Sequence, residues 1–389
     1  MSKYLFPIYK QVNIEFKKGK GSKLYDKYKN EYIDFTSGIG VNSLGHGNKS
    51  LIKAINKQAN KLIHISNIYP VEAQKKCAKK LVQLSTYKNM NCFFCNSGAE
   101  ANEAAIKFVR KYAYLKKIKN HKIITINNSF HGRTLTTLKA TAQEDKQKGF
   151  GPFTDEFIYA KDIEDIKNKI DKSTVAVMLE LIQGEGGINA FDKKKIQILA
   201  KELKKKKILL VIDEVQSGVY RTGKFLASNY YEIKPDVITL AKGLAGGLPI
   251  GVMMSDVKDI FILGNHGTTF GGNPLCTSVA LEVLNILQEQ EKSKKLENRI
   301  LYFQKNLDKC LKENKEFFVS KVGIGLMLGL KLKNEEDLGI LIEKCLDEKL
   351  LVLRSGKDIV RFLPSLNISK KEIKEGFSKL QKAINKIKG

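Results

Sequence analysis

The chain has 389 residues, 42% hydrophobic and 28% charged, with 68 Lys and Arg against 41 Asp and Glu and a formal net charge of +27. That is sequence enough for at least one large core, with two domains expected, and the balance is that of a soluble globular protein. No N-terminal apolar stretch resembles a signal peptide, no apolar run is long enough to span a bilayer, and the six scattered cysteines argue against a disulfide scaffold, so a cytoplasmic protein with no membrane partner is expected.

In chain order, Leu24-Tyr25-Asp26 and Tyr32-Ile33-Asp34-Phe35 flank a polar turn and predict a hairpin. Asn48 or Ser50 then caps a helix carrying Leu51, Ile52, Ile55 and Ala59, and a second helix carries Ala78, Leu81 and Val82. From there strand and helix alternate. Strands are predicted at Cys92 to Cys95, Lys122 to Ile126, Val175 to Leu179, Ile208 to Ile212, Val237 to Leu240 and Ile250 to Met254. Helical stretches between them imply a largely parallel sheet with right-handed crossovers. After Asn273-Pro274 a helical pattern continues to about Lys315, followed by short strands at Gly323 to Leu330 and Lys349 to Leu353. Ile373, Phe377, Leu380, Ile384 and Ile387 mark one face of a last helix.

Several strand ends carry chemistry. Ile208 to Ile212 is continuously apolar, as in a strand buried on both faces, and ends in Asp213-Glu214-Val215-Gln216. Ligands bind beyond the C-terminal ends of strands in open α/β sheets, and a carboxylate there needs a cationic partner. Lys242-Gly243 follows the next strand. Asn96-Ser97-Gly98-Ala99-Glu100-Ala101-Asn102-Glu103 joins a strand to a helix with small residues, which suits an anion such as phosphate. Phe130-His131-Gly132-Arg133-Thr134 offers a ring for stacking and a guanidinium for a carboxylate, with His131 read as structural or ring-orienting. Gln183-Gly184-Glu185-Gly186-Gly187 forces an unusual backbone path that can hold Glu185 in a cleft. His266-Gly267-Thr268-Thr269-Phe270-Gly271-Gly272-Asn273-Pro274 supplies two hydroxyls, and Arg361 in an apolar strand needs an anion, either Glu185 or a substrate carboxylate. Cys92-Phe93-Phe94-Cys95 has no second pair and lies on a strand where the two thiols face opposite ways, so no metal is expected. The lysines are dispersed and match no nucleic-acid-binding motif; a basic nucleic-acid-binding protein is the rival of a different class, and no nucleic-acid partner is expected.

In their order and spacing these segments resemble the class III (subgroup II) pyridoxal-phosphate-dependent aminotransferases of fold type I, from about Tyr9 to the C-terminus. The resemblance implies the aspartate-aminotransferase-like α/β fold, with a mostly parallel central sheet in a large domain and a smaller α/β domain. The division it implies is residues 1–48 packing with the small domain, 49–270 forming the large cofactor-binding domain and 271–389 the small domain with a linking helix. It implies pyridoxal 5'-phosphate as cofactor, with Lys242 as the covalent anchor and proton carrier and Asp213 against the pyridine nitrogen. Gln216 is placed near the phenolic oxygen, Phe130 and Val215 on the two ring faces, and Gly98 and Ala99 at the phosphate. Thr269 would reach the cofactor phosphate of the neighbouring subunit, making a homodimer with shared active sites. On the substrate side stand Arg133 for the distal carboxylate, Arg361 for the α-carboxylate of 2-oxoglutarate, Glu185 pairing with Arg361 when an ω-amino donor is bound, and Thr268 and Tyr9. The segment Ser37 to His46, with Ile39 where the ornithine enzymes have tyrosine, is similar to the acetylornithine group. The expected reaction is therefore transfer of the δ-amino group of N2-acetyl-L-ornithine to 2-oxoglutarate, giving glutamate, in arginine biosynthesis, with 4-aminobutyrate, succinyl-diaminopimelate and ornithine as alternative donors. Leu181 stands where the family commonly has proline, and Lys10 and Gln11 stand near Tyr9 where it usually has arginine.

Overall fold

A computed structural model describes residues 4–388. Its centre is a seven-stranded sheet in the spatial order Asn91–Cys95, Gly251–Ser255, Val237–Leu240, Leu209–Asp213, Thr174–Leu179, Lys122–Ile126 and Phe157–Ala160. The strand Gly251–Ser255 runs antiparallel to both its neighbours, and the remaining pairings are parallel. Every residue of Thr174–Leu179 and Leu209–Asp213 is buried, as a parallel sheet covered on both faces requires.

Side-chain alternation sorts the central strand between two cores. Leu209 and Val211 join Ala104, Ala105, Phe108 and Val109 of the helix Gly98–Leu115. Leu210 and Ile212 join Ile163, Ile166, Ile196, Leu199 and Leu203 from the helices Ile163–Lys169 and Lys193–Lys206 on the opposite face. The same parity turns Asp213 toward the Gly98–Leu115 helix, and Thr239, two residues beyond Val237 of that core, turns the same way.

A smaller antiparallel sheet has the order Phe318–Ile324, Met327–Leu332, Ile359–Phe362 and Leu353–Ser355. The helices Lys295–Glu313, Asp337–Asp347 and Lys370–Lys388 pack with it. The N-terminal strands Phe16–Lys20, Lys23–Asp26 and Glu31–Asp34 form a meander that Leu350–Leu351 extends by parallel pairing with Glu31–Asp34. Asn48 caps the helix Lys49–Ala59 by accepting from the Leu51 amide at 3.1 Å.

Several elements differ from the sequence reading. The helical pattern after Pro274 is two helices, Pro274–Lys292 and Lys295–Glu313, broken at Ser293-Lys294, where Lys294 takes a left-handed φ of 54°. The predicted strand Gly323 to Leu330 is a hairpin that turns at Gly325 and Leu326, with φ of 66° at the glycine. The edge strands Phe16–Lys20 and Phe157–Ala160 are not in the sequence reading; three lysines interrupt the first, and the second is apolar but only four residues long, too short to show a period. Cys92 and Cys95 lie in the Asn91–Cys95 strand as free thiols.

Candidate active site

The parallel register sets Asp213 opposite Thr239, so the turn after Val237–Leu240 carries Lys242 to the same sheet end as the carboxylate. Lys242 opens a short 3-10 helix, Lys242–Ala245, with a φ of 39°. That left-handed value is costly for a residue with a Cβ and is concentrated at functional positions. Its ammonium has no carboxylate within ion-pairing distance among the described residues. Burial pushes its pKa down, Glu185 opposes that shift, and Arg361 adds to it.

Asp213 is buried at 4% exposure, and both of its carboxylate oxygens accept hydrogen bonds. Its Oδ1 accepts from the Val215 amide at 2.9 Å. Its Oδ2 accepts from Asn102 Nδ2 at 2.7 Å and from His131 Nδ1 at 2.9 Å. Asn102 is itself clamped, donating also to the His131 carbonyl at 2.7 Å and accepting from Thr239 Oγ1 at 2.7 Å. Asn102, His131 and Thr239 thus fix the acid from a helix, a loop and the next strand. A buried hydrogen-bond network of this kind holds the Asp213 carboxylate in one geometry. His131 Nε2 is buried without a partner.

Glu180 completes the floor. Its Oε2 accepts from the Phe130 amide at 2.9 Å and its Oε1 from the Gly184 amide at 3.1 Å, tying two loops together. Burial, and next the neighbouring Asp213, push its pKa up to about 7.

These groups surround a cavity of about 390 Å³ whose walls include Gly98, Ala99, Phe130, Arg133, Val215 and Gln216. Ser97 caps the Gly98–Leu115 helix by accepting from the Glu100 amide at 3.1 Å, which leaves the Gly98 and Ala99 amides for an anion. A Cβ on Gly98 would sit 2.6 Å from Val215 Cγ1, so this wall tolerates only glycine. The exposed Arg133 guanidinium lies over the Phe130 ring at 5.5 Å from its centroid.

On one side of this cavity stands Arg361, 2% exposed, reaching over from the smaller sheet. Its Nη1 donates to Glu185 Oε1 at 2.6 Å, to the Gly184 carbonyl at 2.8 Å and to Gln216 Oε1 at 3.2 Å. Its Nη2 donates to Glu185 Oε2 at 3.4 Å. Burial works to raise the Glu185 pKa, but the Arg361 guanidinium outweighs it and holds the carboxyl below its usual value. A Cβ on Gly184 would meet Gln216 Nε2 at 2.4 Å, so a larger residue here would displace the Gln216 side chain that Arg361 holds.

The sequence-predicted residues therefore divide. Lys242, Asp213, Gly98, Ala99, Phe130, Val215, Gln216 and Arg133 line one cavity, and Glu185 and Arg361 pair beside it. Thr268 stands at the rim, where its Oγ1 accepts from Asn96 Nδ2 at 3.3 Å. Tyr9, 72% exposed, and the exposed Thr269 are not among the cavity walls of a single chain. Asn102, Glu180 and Thr239 were missed as site residues. The signal for Asn102 was its position one turn into the glycine-alanine motif, among residues otherwise small enough for a buried helix face.

Pyridoxal phosphate fits this chemistry. The cavity joins an amine without an acid partner, a buried carboxylate for a pyridinium, two faces for a ring and free amides at a helix N-terminus for a phosphate. Among the described residues, no group of three or more His, Cys, Asp or Glu side chains is placed to hold a metal ion, and no helix is long and apolar enough to cross a membrane.

A family model described as aminotransferase class-III matches residues 7–384. The chain is 48% identical over 386 residues to an acetylornithine aminotransferase of Wolinella succinogenes, covering 99% of this chain and 98% of that protein. It is 39% identical over 392 residues to a succinylornithine transaminase of Salmonella paratyphi A, covering 99% and 95%. Among solved structures, it superposes on the ornithine aminotransferase of Toxoplasma gondii with a TM-score of 0.93 at 30% identity, covering 99% of this chain and 93% of that one. A match across nearly the whole length, on a chain whose lysine and aspartate converge as that chemistry demands, identifies the protein as a member of the class-III aminotransferases, pyridoxal-phosphate-dependent enzymes of the type-I fold.

Proposed function

We propose that the protein transfers the δ-amino group of N2-acetyl-L-ornithine to 2-oxoglutarate, releasing glutamate, in the cytoplasm. The observation that carries the ω-amino reading is the Glu185–Arg361 pair beside the Lys242 cavity. With Glu185 in place, Arg361 is neutralised, and a donor presenting an amine without an adjacent carboxylate is accommodated. With Glu185 displaced, the guanidinium is free for the α-carboxylate of 2-oxoglutarate or glutamate. Arg133, exposed at the mouth, is left for the carboxylate distal to the reacting amine. The likeness to the Wolinella acetylornithine enzyme supports the donor assignment.

Pyridoxal phosphate, when bound, supplies an aldehyde that captures the amine and an electron-poor ring that stabilises charge developing at the neighbouring carbon. The chain's own residues do the rest. Asp213, fixed by Asn102, His131 and the Val215 amide, offers a carboxylate that holds a proton at the pyridine nitrogen. Phe130 and Val215 confine the ring from two sides, and the Gly98 and Ala99 amides hold the phosphate. Lys242 Nζ, its basicity lowered by burial, would be the group that moves the proton at the substrate carbon.

A homodimer with shared sites is part of this reading. Thr269 lies in an exposed segment with Ile262, Leu263 and Phe270, and Ile68 and Tyr69 are likewise exposed. Exposed apolar residues in such numbers fit a partner surface.

A donor panel tests the assignment, with 2-oxoglutarate as acceptor and glutamate formation as readout. N2-acetyl-L-ornithine is expected to give the highest kcat/KM. A preference for ornithine, 4-aminobutyrate, N2-succinyl-ornithine or succinyl-diaminopimelate overturns the donor. Failure of borohydride to fix pyridoxal phosphate to Lys242 overturns the chemistry.

A further inference from the structure

A second concavity, of about 1030 Å³, adjoins the Arg361 cluster. Glu185 is on its wall, while Gln216, bonded to the same guanidinium, is on the wall of the Lys242 cavity. The Glu185–Arg361–Gln216 group therefore stands between the two spaces.

The groove is rich in cations. Lys321 is neutralised by Asp308 at 2.6 Å and Lys331 by Asp358 at 3.4 Å. Lys146, Arg354 and Lys357 also line it, and none has a carboxylate within 4.0 Å among the described residues. Of the wall's acids, Glu185 is held by Arg361 and Asp358 by Lys331, leaving Glu335 as the one acid against three cations without an ion pair among the described residues. Lys146 is half-buried on the short helix Glu144–Gln147, and its Nζ donates to Gln143 Oε1. Its surrounding charges are Arg133 at the mouth of the inner cavity, Glu185 at the partition and its neighbour Asp145. Burial, and next the Arg133 charge, push its pKa down. A half-buried cation beside a second cation is relieved by an arriving anion.

We propose that this groove is an anteroom for the acceptor: Lys146, Arg354 and Lys357 collect a dicarboxylic oxo acid by its carboxylates and present it at the Glu185 partition before it enters the Lys242 cavity. The inference deepens the aminotransferase reading and rests on it. It adds a binding station for dianions outside the reacting site.

The test uses the holoenzyme converted to its amine form with excess donor, desalted, and mixed with oxo acid while the cofactor absorbance is followed. Lys146→Gln, Arg354→Gln and Lys357→Gln are made singly and together. The dianion 2-oxoglutarate is compared with the monoanion 2-oxohexanoate. Each charge removed is expected to lower the apparent second-order rate for 2-oxoglutarate about twofold, and the triple variant about five- to tenfold, across screened solvent. The limiting rate at saturation should be unchanged, the rate for 2-oxohexanoate should move by less than about twofold, and the salt dependence with 2-oxoglutarate should flatten. Equal losses for both acids, or no loss for either, overturn the anteroom. If the triple variant does not fold, the single variants carry the same comparison. A parent enzyme that shows no absorbance change with either acid refutes the aminotransferase reading itself, and the anteroom with it.

Discussion

Replacing Glu185 with glutamine tests the gate over Arg361 directly. The amide keeps the shape of the side chain and removes its charge. The parent contact is a two-pronged charged one, 2.6 Å on one arm and 3.4 Å on the other, between a guanidinium whose side chain is 3% exposed and a carboxylate 30% exposed. A hydrogen bond to a charged group contributes about 1.5–3 kcal/mol, and solvent at the open side of Glu185 places this one in the lower half of that range. Any α-carboxylate that binds Arg361 must first displace Glu185 and meet that cost. Glu185→Gln should therefore raise the kcat/KM for glutamate, relative to that for the ω-amino donor, by about 10- to 30-fold, since 1.4 kcal/mol corresponds to a factor of ten. The two half-reactions, followed separately by cofactor absorbance, give the ratio. A ratio within about twofold of the parent would falsify the gate as the source of donor discrimination.

The remaining predictions concern the same cavity. The folded pKa of Glu185 lies below its ordinary 4.5, so the charge on which the gate depends is present above the ordinary value and is lost only as pH falls through the depressed one. The ratio of ω-amino to α-amino kcat/KM should accordingly stay flat from neutral to about pH 5; a decline within that window would contradict the pairing. Asp213→Asn should lower turnover by at least about 100-fold. It should also lower the melting temperature, because Oδ1 and Oδ2 both accept now and an amide leaves one buried N–H facing another donor; parent-like turnover would remove Asp213 from the reaction. Asn102→Ala strands the Thr239 hydroxyl and removes one of the donors to Asp213, so a destabilisation of about 1–3 kcal/mol is expected in denaturant unfolding, with weakened pyridoxal phosphate affinity. Unchanged affinity would leave Asn102 a packing residue only. Gly98→Ala pushes a methyl to 2.6 Å from Val215 Cγ1 and should weaken cofactor binding in absorbance titrations more than it lowers the melting temperature. The reverse order would argue that this wall does not touch the cofactor.

Much of the architecture was legible because the pattern was local. The apolar run ending at Asp213 reads as a buried strand, and the strands of the same sheet at Lys122, Val175 and Val237 are also legible. The edge strand Phe16–Lys20 was not legible, because its three lysines break the run that marks a strand, and Phe157–Ala160, although apolar, is only four residues long and carries no period of its own. The turn at Gly325 and the break at Lys294 depend on single left-handed residues inside patterns that otherwise continue. At the site, residues announced by unusual composition were found in advance: Asp213 after an apolar strand, Glu185 among glycines, Arg361 between apolar neighbours. Asn102 and Thr239 were not, because a polar residue on a helix or strand looks the same in sequence whether it faces water or a buried carboxylate.

By itself, the sequence determined which residues carry charge, which runs must be buried and where glycine permits close approach, since those are properties of neighbours along the chain. Only the tertiary structure decided that Asp213 and Lys242 share a sheet end, through the register that sets Asp213 opposite Thr239. It alone brought Arg361, from a different sheet, against Glu185 and Gln216. The physical reason is that strand register and inter-sheet contact are fixed by burying many side chains at once, a condition that no single stretch of sequence contains.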